Sequence, residues 1–248
     1  MLKNLIHGFS AIIQAIQLMS NPGIRRFIII PMSINTLLFG TAIYLLFNQF
    51  GIWLDYFMPD FPSWLSWLET LLEWILWPLF SVMIFFLVFY SFSFLMNIIA
   101  SPFNSLLAEK VEAHLNGQNI ENDALLPPLK AIIQGLSSEF QKLIYLIKWS
   151  IILLIISFIP VINLAAPFLW FIFGAWMLGI NYMDYPMGNH QLFFKDIRQS
   201  ASNNKPALLG LGSAIFLLTS IPIVNFIAMP SGVIAATIVF VKQQEATV

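Results

Sequence analysis

Residues 27–50 read FIIIPMSINTLLFGTAIYLLFNQF, a run from Phe27 to Phe50 without one charged side chain. An α-helix rises about 1.5 Å per residue, so about 20 apolar residues cross the ~30 Å hydrocarbon core of a bilayer. The run is long enough to span, and a helix satisfies its own backbone hydrogen bonds where lipid offers none. A second uncharged run, Trp74 to Ala100, has the same property. Transmembrane helices are therefore expected over residues 24–50 and 74–100.

The composition agrees. Of 248 residues, 59% are hydrophobic and 9% charged, against roughly 25% charged in a soluble domain. Mean hydropathy is +0.83. So much apolar surface exceeds what a core of this length can hide, and lipid must solvate part of it. The absence of cysteine excludes disulfides, thiolate metal sites and cysteine nucleophiles. A net charge of -1 leaves no footprint for a polyanion, so nucleic acid is not an expected partner.

Orientation follows from the charges. Between the two runs, residues 51–73 carry Asp55, Asp60, Glu69 and Glu73 but no Lys or Arg. Trp53, Trp64, Trp67, Trp74 and Trp77 suit an interfacial aromatic belt. All eleven basic residues lie elsewhere in the chain. The positive-inside rule then puts the N-terminus in the cytoplasm and residues 51–73 on the other side of the membrane, in a multi-pass protein.

The remaining segments read as helices of mixed polarity. Within residues 1–20, Leu2, Leu5, Ile6, Phe9, Ile12, Ile13 and Ile16 recur at helical spacing, and no cleavage site follows. This amphipathic helix either lies on the membrane or packs against the bundle. Ser101-Pro102 is expected to end the second span. Phe103 to Leu115 then forms an amphipathic helix, Asn116 to Pro128 a loop and Leu129 to Lys148 another amphipathic helix, so that 101–148 is cytoplasmic.

An internal repeat follows. Ile159-Pro160-Val161-Ile162-Asn163-Leu164 recurs as Ile221-Pro222-Ile223-Val224-Asn225-Phe226, each with a further proline, Pro167 and Pro230. Apolar runs of mostly about 10–15 residues flank each copy, marginal or too short for a span. A central proline removes a backbone donor and bends the chain. The expectation is two re-entrant, partly inserted helical hairpins, 149–180 and 206–241. Two full but tilted pairs of spans would return the chain to the same side. The whole, 1–248, reads as a single all-α integral membrane domain.

The segment Ser20-Asn21-Pro22-Gly23-Ile24-Arg25-Arg26-Phe27 carries the most chemistry. Asn21 can cap a helix, and Pro22 suits its first position. Two arginines in the opening turns oppose the helix dipole, and an anion there would resolve the conflict. Free amides, the positive dipole end and two guanidinium forks suit a tetrahedral oxyanion. The alternative is that Arg25 and Arg26 only anchor topology at lipid phosphates.

Asn35, Asn97, Asn163 and Asn225 lie in apolar surroundings, where an unpartnered amide is costly. The first two are expected to bond between helices. Asn163 and Asn225 occupy equivalent hairpin turns, and either line a pore or cap the turns. Asn104, Glu109, Lys110 and Glu112 lie just past the second span, with Asp184 and His190 further on. These form a gate or a set of solvated ion pairs. No catalytic motif, metal-ligand spacing or nucleotide loop is present, so neither an enzyme site nor a cofactor is expected.

Several of these segments together resemble the CysZ family of bacterial sulfate-uptake proteins. They are Pro22 to Phe27, the run Phe103-Asn104-Ser105-Leu106-Leu107-Ala108-Glu109-Lys110-Val111-Glu112, Asp184-Tyr185-Pro186 with Asn189-His190, and the twin Ile-Pro hairpins. The similarity covers nearly the whole chain in the same order. It implies sulfate uptake across the inner membrane for cysteine synthesis, and an oligomer of long transmembrane helices with partly inserted hairpins. It also implies sulfate binding by Gly23, Ile24, Arg25 and Arg26. Asn104, Glu109, Lys110, Asn163 and Asn225 stand as candidate pore or gate contacts. A non-transporting membrane adaptor and an intramembrane enzyme acting on lipid phosphates are the alternative functions.

Overall fold

The computed structural model describes residues 2–57, 62, 66–118, 129–221 and 224–245. Side chains are described for these except 87–102, 129–136 and scattered helix positions that include Asn35. Most of the expected loop at 116–128, Pro222 of the second repeat, and the Asn35 and Asn97 side chains therefore lie outside the described residues.

Eight α-helices form among the described residues. They are α1 (Leu2–Leu18), α2 (Pro22–Phe57), α3 (Ser66–Leu115), α4 (Leu129–Ser157), α5 (Ala166–Asn189), α6 (Phe194–Asn203), α7 (Lys205–Thr219) and α8 (Asn225–Glu245). Stretches long and apolar enough to cross a membrane are Pro22–Phe50, Ser137–Ser157, Ile162–Asn189 and Ile227–Glu245. The chain is an all-α membrane protein.

Two expected helix ends are absent. Ser101-Pro102 does not stop α3, which runs on to Leu115. Proline removes one ladder bond, and a long helix tolerates that loss where its flanking turns are bonded. The expected amphipathic helix over 129–148 and the apolar arm after it are likewise one helix, α4. Lys148 is charged but no helix breaker, so nothing divides them. Both arms of the first hairpin are consequently long, 21 residues in Ser137–Ser157 and 28 in Ile162–Asn189. The second hairpin keeps one short arm, since α7 has 15 residues and rises only about 22 Å.

The chain divides into two compact units, Met1–Ile28 with Phe103–Val248, and Ile29–Pro102. In the second unit the ring of Phe50 meets Trp77 edge-on at 4.0 Å and Phe80 at 5.2 Å. Leu37, Tyr44, Leu45, Trp74, Leu79, Val82 and Phe85 are exposed. Only 6% of the α2 span is buried, against 67% of the α8 span. The α2 span is thus little covered by the rest of the chain, and the α8 span is mostly covered by it.

The first unit is a helix bundle whose directions can be read from its contacts. Lys142 meets Asp184 and the Trp170 indole N–H donates to Ser157 at 3.2 Å, so α4 and α5 are antiparallel. Gly179 abuts Leu208, and the Phe171 ring meets Phe216, so α5 and α7 are antiparallel. Tyr182 abuts Gly232, and His190 meets Phe240, so α5 and α8 run together. Both hairpin turns therefore lie at one end of the bundle, the tips. Residues 149–183 and 206–241 carry no charge.

The tips share one backbone device. The Asn163 N–H donates to the Ile159 carbonyl at 3.0 Å, and the Asn225 N–H to that of Ile221 at 2.8 Å. In the first tip Val161 adopts a φ of 72°, a left-handed conformation that a β-branched residue disfavours.

At the other end, the base, α1 packs against α7 and α8. Its small face, with Gly8, Ala11, Ile12 and Ala15, is buried. The Gly8 position abuts the Ala207 carbonyl, Gly210 abuts that of Leu5, and Gly212 on α7 abuts that of Ala175. Helices approach to backbone contact there because no Cβ intervenes. Leu2, Ile6, Phe9, Ile13 and Ile16 face outward from α1, so the helix docks on the bundle and still presents an apolar stripe.

Three substitutions test this packing. Gly212→Leu drives a side chain into the Ala175 carbonyl, and should destabilise the protein by more than the ~1–3 kcal/mol of ordinary overpacking, read as a lower melting temperature in detergent. Gly40→Ala, where nothing lies within 4 Å, should be neutral or stabilising by roughly 0.5–1 kcal/mol. Val161→Gly should stabilise the first tip by about 1 kcal/mol, because glycine adopts positive φ freely.

Candidate anion site

The start of α2 is built by its own cap. The Gly23 N–H donates to Asn21 Oδ1 at 3.0 Å, and the Ile24 and Arg25 N–H groups donate to the Asn21 carbonyl at 3.0 and 2.8 Å. Pro22 has no N–H to satisfy. Asn21 Nδ2 lies 3.5 Å from His114 Nε2 at the end of α3. Ile24 and Ile28 are buried and share one apolar cluster with Leu107, Ala108 and Val111 of α3. The helix start is thus pinned at the base by a cap and two isoleucines.

Arg25 and Arg26 project from this pinned start and both are exposed. The Arg26 guanidinium stacks 4.9 Å from the Phe27 ring centroid. Among the described residues neither arginine enters an ion pair. Consecutive helical residues point about 100° apart, so the two forks converge on one ligand only through their long stems. The first amides are already engaged by Asn21. A free anion therefore meets guanidiniums first, and backbone donors become available only if the Asn21 side chain turns away.

The other candidates separate into two groups. Asn104 is buried and donates through Nδ2 to Tyr185 Oη at 3.3 Å. Lys110 is 3% exposed, and its Nζ lies 3.6 Å from Glu109 Oε1. These residues share the last turns of α3 with the buried Leu107, Ala108 and Val111, at the base near Gly23 to Arg26. Asn163 and Asn225 are exposed at the tips. From the first tip to Tyr185, α5 rises roughly 28 Å. The structure brings the α3 group together with the arginine helix and leaves the two asparagines at the far end.

Two charged contacts were not singled out as pairs by the sequence. Lys142 Nζ lies 2.6 Å from Asp184 Oδ2 and 2.7 Å from Glu139 Oε1, with the lysine nearly buried. Glu139 and Lys142 stand three apart in an apolar helix, a spacing that places them on one face; their acidic partner on α5 is distant in sequence. His190 Nε2 lies 2.8 and 3.0 Å from the two Glu112 oxygens, and Asn189 Nδ2 donates to the Ser105 carbonyl at 2.8 Å. The last turns of α5 therefore grip the last turns of α3. Among the described residues no three His, Asp or Glu side chains converge as a metal would require.

Comparison with known proteins gives the family. The family model described as "Sulfate transporter CysZ/Etoposide-induced protein 2.4" matches residues 11–230. The chain belongs to the CysZ family. It is 42% identical over 228 residues to the sulfate transporter CysZ of Pectobacterium atrosepticum, covering 92% of this chain and 82% of that one. To the Pseudomonas syringae protein of that name it is 40% identical over 234 residues, covering 94% and 91%. To the Vibrio parahaemolyticus one it is 40% identical over 240 residues, covering 95% and 94%. The CysZ match takes in the arginine helix, the α3 run, the first hairpin and the second as far as Pro230.

Removing Lys142 alone should leave Asp184 without its cation. Lys142→Met should cost about 3 kcal/mol, the lower end for a broken buried pair because Asp184 keeps some water. Adding Asp184→Asn should recover most of that loss, measured as a double-mutant cycle on thermal unfolding.

Proposed function

We propose that this chain carries sulfate across the bacterial inner membrane, from the periplasm to the cytoplasm, as a permease or channel supplying cysteine synthesis. The observation that carries the reading is the pair Arg25-Arg26: two exposed guanidiniums, unpaired among the described residues, at the pinned start of a long uncharged helix. An arginine fork matches the paired oxygens of a tetrahedral dianion better than a lysine point charge does. The relatives bearing the name sulfate transporter, at about this length, support the substrate.

The rest of the arrangement follows in the same terms. Gly23, Ile24, Arg25 and Arg26 form the cytoplasmic sulfate site, with Asn104, Glu109 and Lys110 beside it. Asn163 and Asn225 serve the far end of the path, at the hairpin tips. The second hairpin re-enters rather than crosses, since its uncharged α7 arm of about 22 Å is shorter than the ~30 Å core. The N-terminus faces the cytoplasm, and the exposed faces of α2 accommodate lipid and other copies of the chain.

Energetics constrain the transport. Moving a dianion inward against an inside-negative potential costs about 4.6 kcal/mol per 100 mV. A cytoplasmic arginine site favours release into an environment that consumes sulfate, and suits control of uptake at the same place.

Radiolabelled sulfate flux into proteoliposomes tests the proposal. Each arginine replaced by alanine should weaken binding by about ten-fold or more, the size of a lost charged hydrogen bond. Arg25→Ala with Arg26→Ala should reduce flux to that of empty liposomes, and lysine at both positions should restore only part of it. Unchanged flux in the double alanine variant would end the assignment.

A further inference from the structure

An open recess lies at the base of the first unit, bordered by α1, α6, the turn into α7 and the end of α8, with a volume of about 770 Å³. That volume falls in the range of small-molecule sites. It lies apart from the arginine helix, and none of the residues Gly23 to Arg26 or Asn104 to Lys110 lines it.

Its lining sorts into three chemistries. The floor is apolar and buried, formed by Met187, Ala207, Val239 and Phe240. The walls hold an unusual number of carboxamides: Asn4, Gln199, Asn203, Asn204 and Gln244. Asn4 Nδ2 already donates to Asn204 Oδ1 at 3.3 Å, and the donors and acceptors left on this set suit a ligand that itself presents both. The ionisable residues are of opposite sign. Lys242 is the cationic member, with the His7 imidazole near it, and Asp196 is the acidic member.

The two poles have uncommitted capacity. Lys242 Nζ meets only the neutral Gln14 Oε1, at 3.3 Å, and enters no ion pair among the described residues. Partial burial, then Lys242 and Lys3 nearby, hold the His7 imidazole below its ordinary pKa. The Lys242 ammonium therefore has no counter-charge within ion-pair distance among the described residues, and the imidazole near it, held toward its neutral form, keeps one N–H donor, so a carboxylate fits there. Asp196 uses one oxygen, Oδ2, to cap α6 through the Phe193 N–H at 3.1 Å. Its second oxygen is left for a cation.

We propose that this recess binds a small zwitterion of the free amino-acid class. The carboxylate faces His7 and Lys242, the ammonium faces Asp196, and an apolar side chain lies on Met187, Val239 and Phe240. A simple oxyanion is disfavoured by Asp196, and an uncharged sugar leaves both poles unsatisfied. Because α1 forms one wall and leads within a few residues into the arginine helix, an occupant braces the element from which Arg25 and Arg26 start.

Calorimetric titration of the full-length detergent-purified protein tests the site with L-methionine, whose linear side chain matches the floor. N-acetyl-L-methionine lacks the ammonium and L-methionine methyl ester lacks the carboxylate, and each should bind about ten-fold more weakly or worse. Asp196→Asn retains the cap acceptor and Lys242→Gln retains a partner for Gln14. Each should lower methionine affinity by about the same factor without lowering the melting temperature. The Arg25→Ala, Arg26→Ala protein should bind methionine as the wild type does, which separates this site from the sulfate site. No heat with any of the three compounds, or methionine binding indifferent to both pole variants, would overturn the proposal.

Discussion

Backbone-to-backbone contact between helices holds the first unit together. Lipid tails are as apolar as leucine, so apolar side chains gain little from meeting one another inside a membrane. Close van der Waals approach must supply the adhesion. Gly8, Gly210, Gly212 and Gly179 provide it, placing α1 on α7 and α7 on α5 with carbonyls where side chains would otherwise stand. The arrangement makes α7 the central plank of the bundle, although it is one of the shorter helices. Its neighbour α8 is buried over its middle turns, and the hydroxyls of Ser231 and Thr237 are answered within the same helix by the Ile227 and Val233 carbonyls.

Charge is distributed with equal economy. The hairpin tips carry none, while the base gathers the ion pair of Lys142 with Asp184 and the hydrogen-bonded contact of Glu112 with His190. A charged group survives at a membrane boundary when a partner or water reaches it, and fails deeper. The base is thus the wet end of the unit. The arginine helix starts there, and α3 is held between that helix and α5. Asn104, Ser105 and Glu112 are gripped from one side by Tyr185, Asn189 and His190, while Leu107, Ala108 and Val111 share a core with Ile24 and Ile28. A shift in the first hairpin would therefore be felt at the arginines through rigid contacts.

The cap at Asn21 refines what an anion encounters. A bare helix start offers free amides, but here the Asn21 side chain already occupies the Gly23 N–H. The sequence suggested both the cap and the anion-binding amides, and these two roles compete for one donor. Guanidiniums on flexible stems can reach a ligand without that competition, which makes the side chains the primary recognition elements.

Local physics made much of this legible in one dimension. The uncharged runs required helices, Asn21-Pro22 marked a helix start, and the Ile-Pro repeat marked two turns that do share a backbone bond. Helix ends were less legible: Pro102 and Lys148 look like stops, yet neither outweighs the bonds of a long helix around it. Partners distant in sequence could not be read at all. That Asp184 answers Lys142, that Glu112 answers His190, and that Asn163 and Asn225 lie far from the arginines are consequences of how helices stack. The side-chain pattern of one helix states which face must be covered, but glycine-to-carbonyl contact between helices decides what covers it.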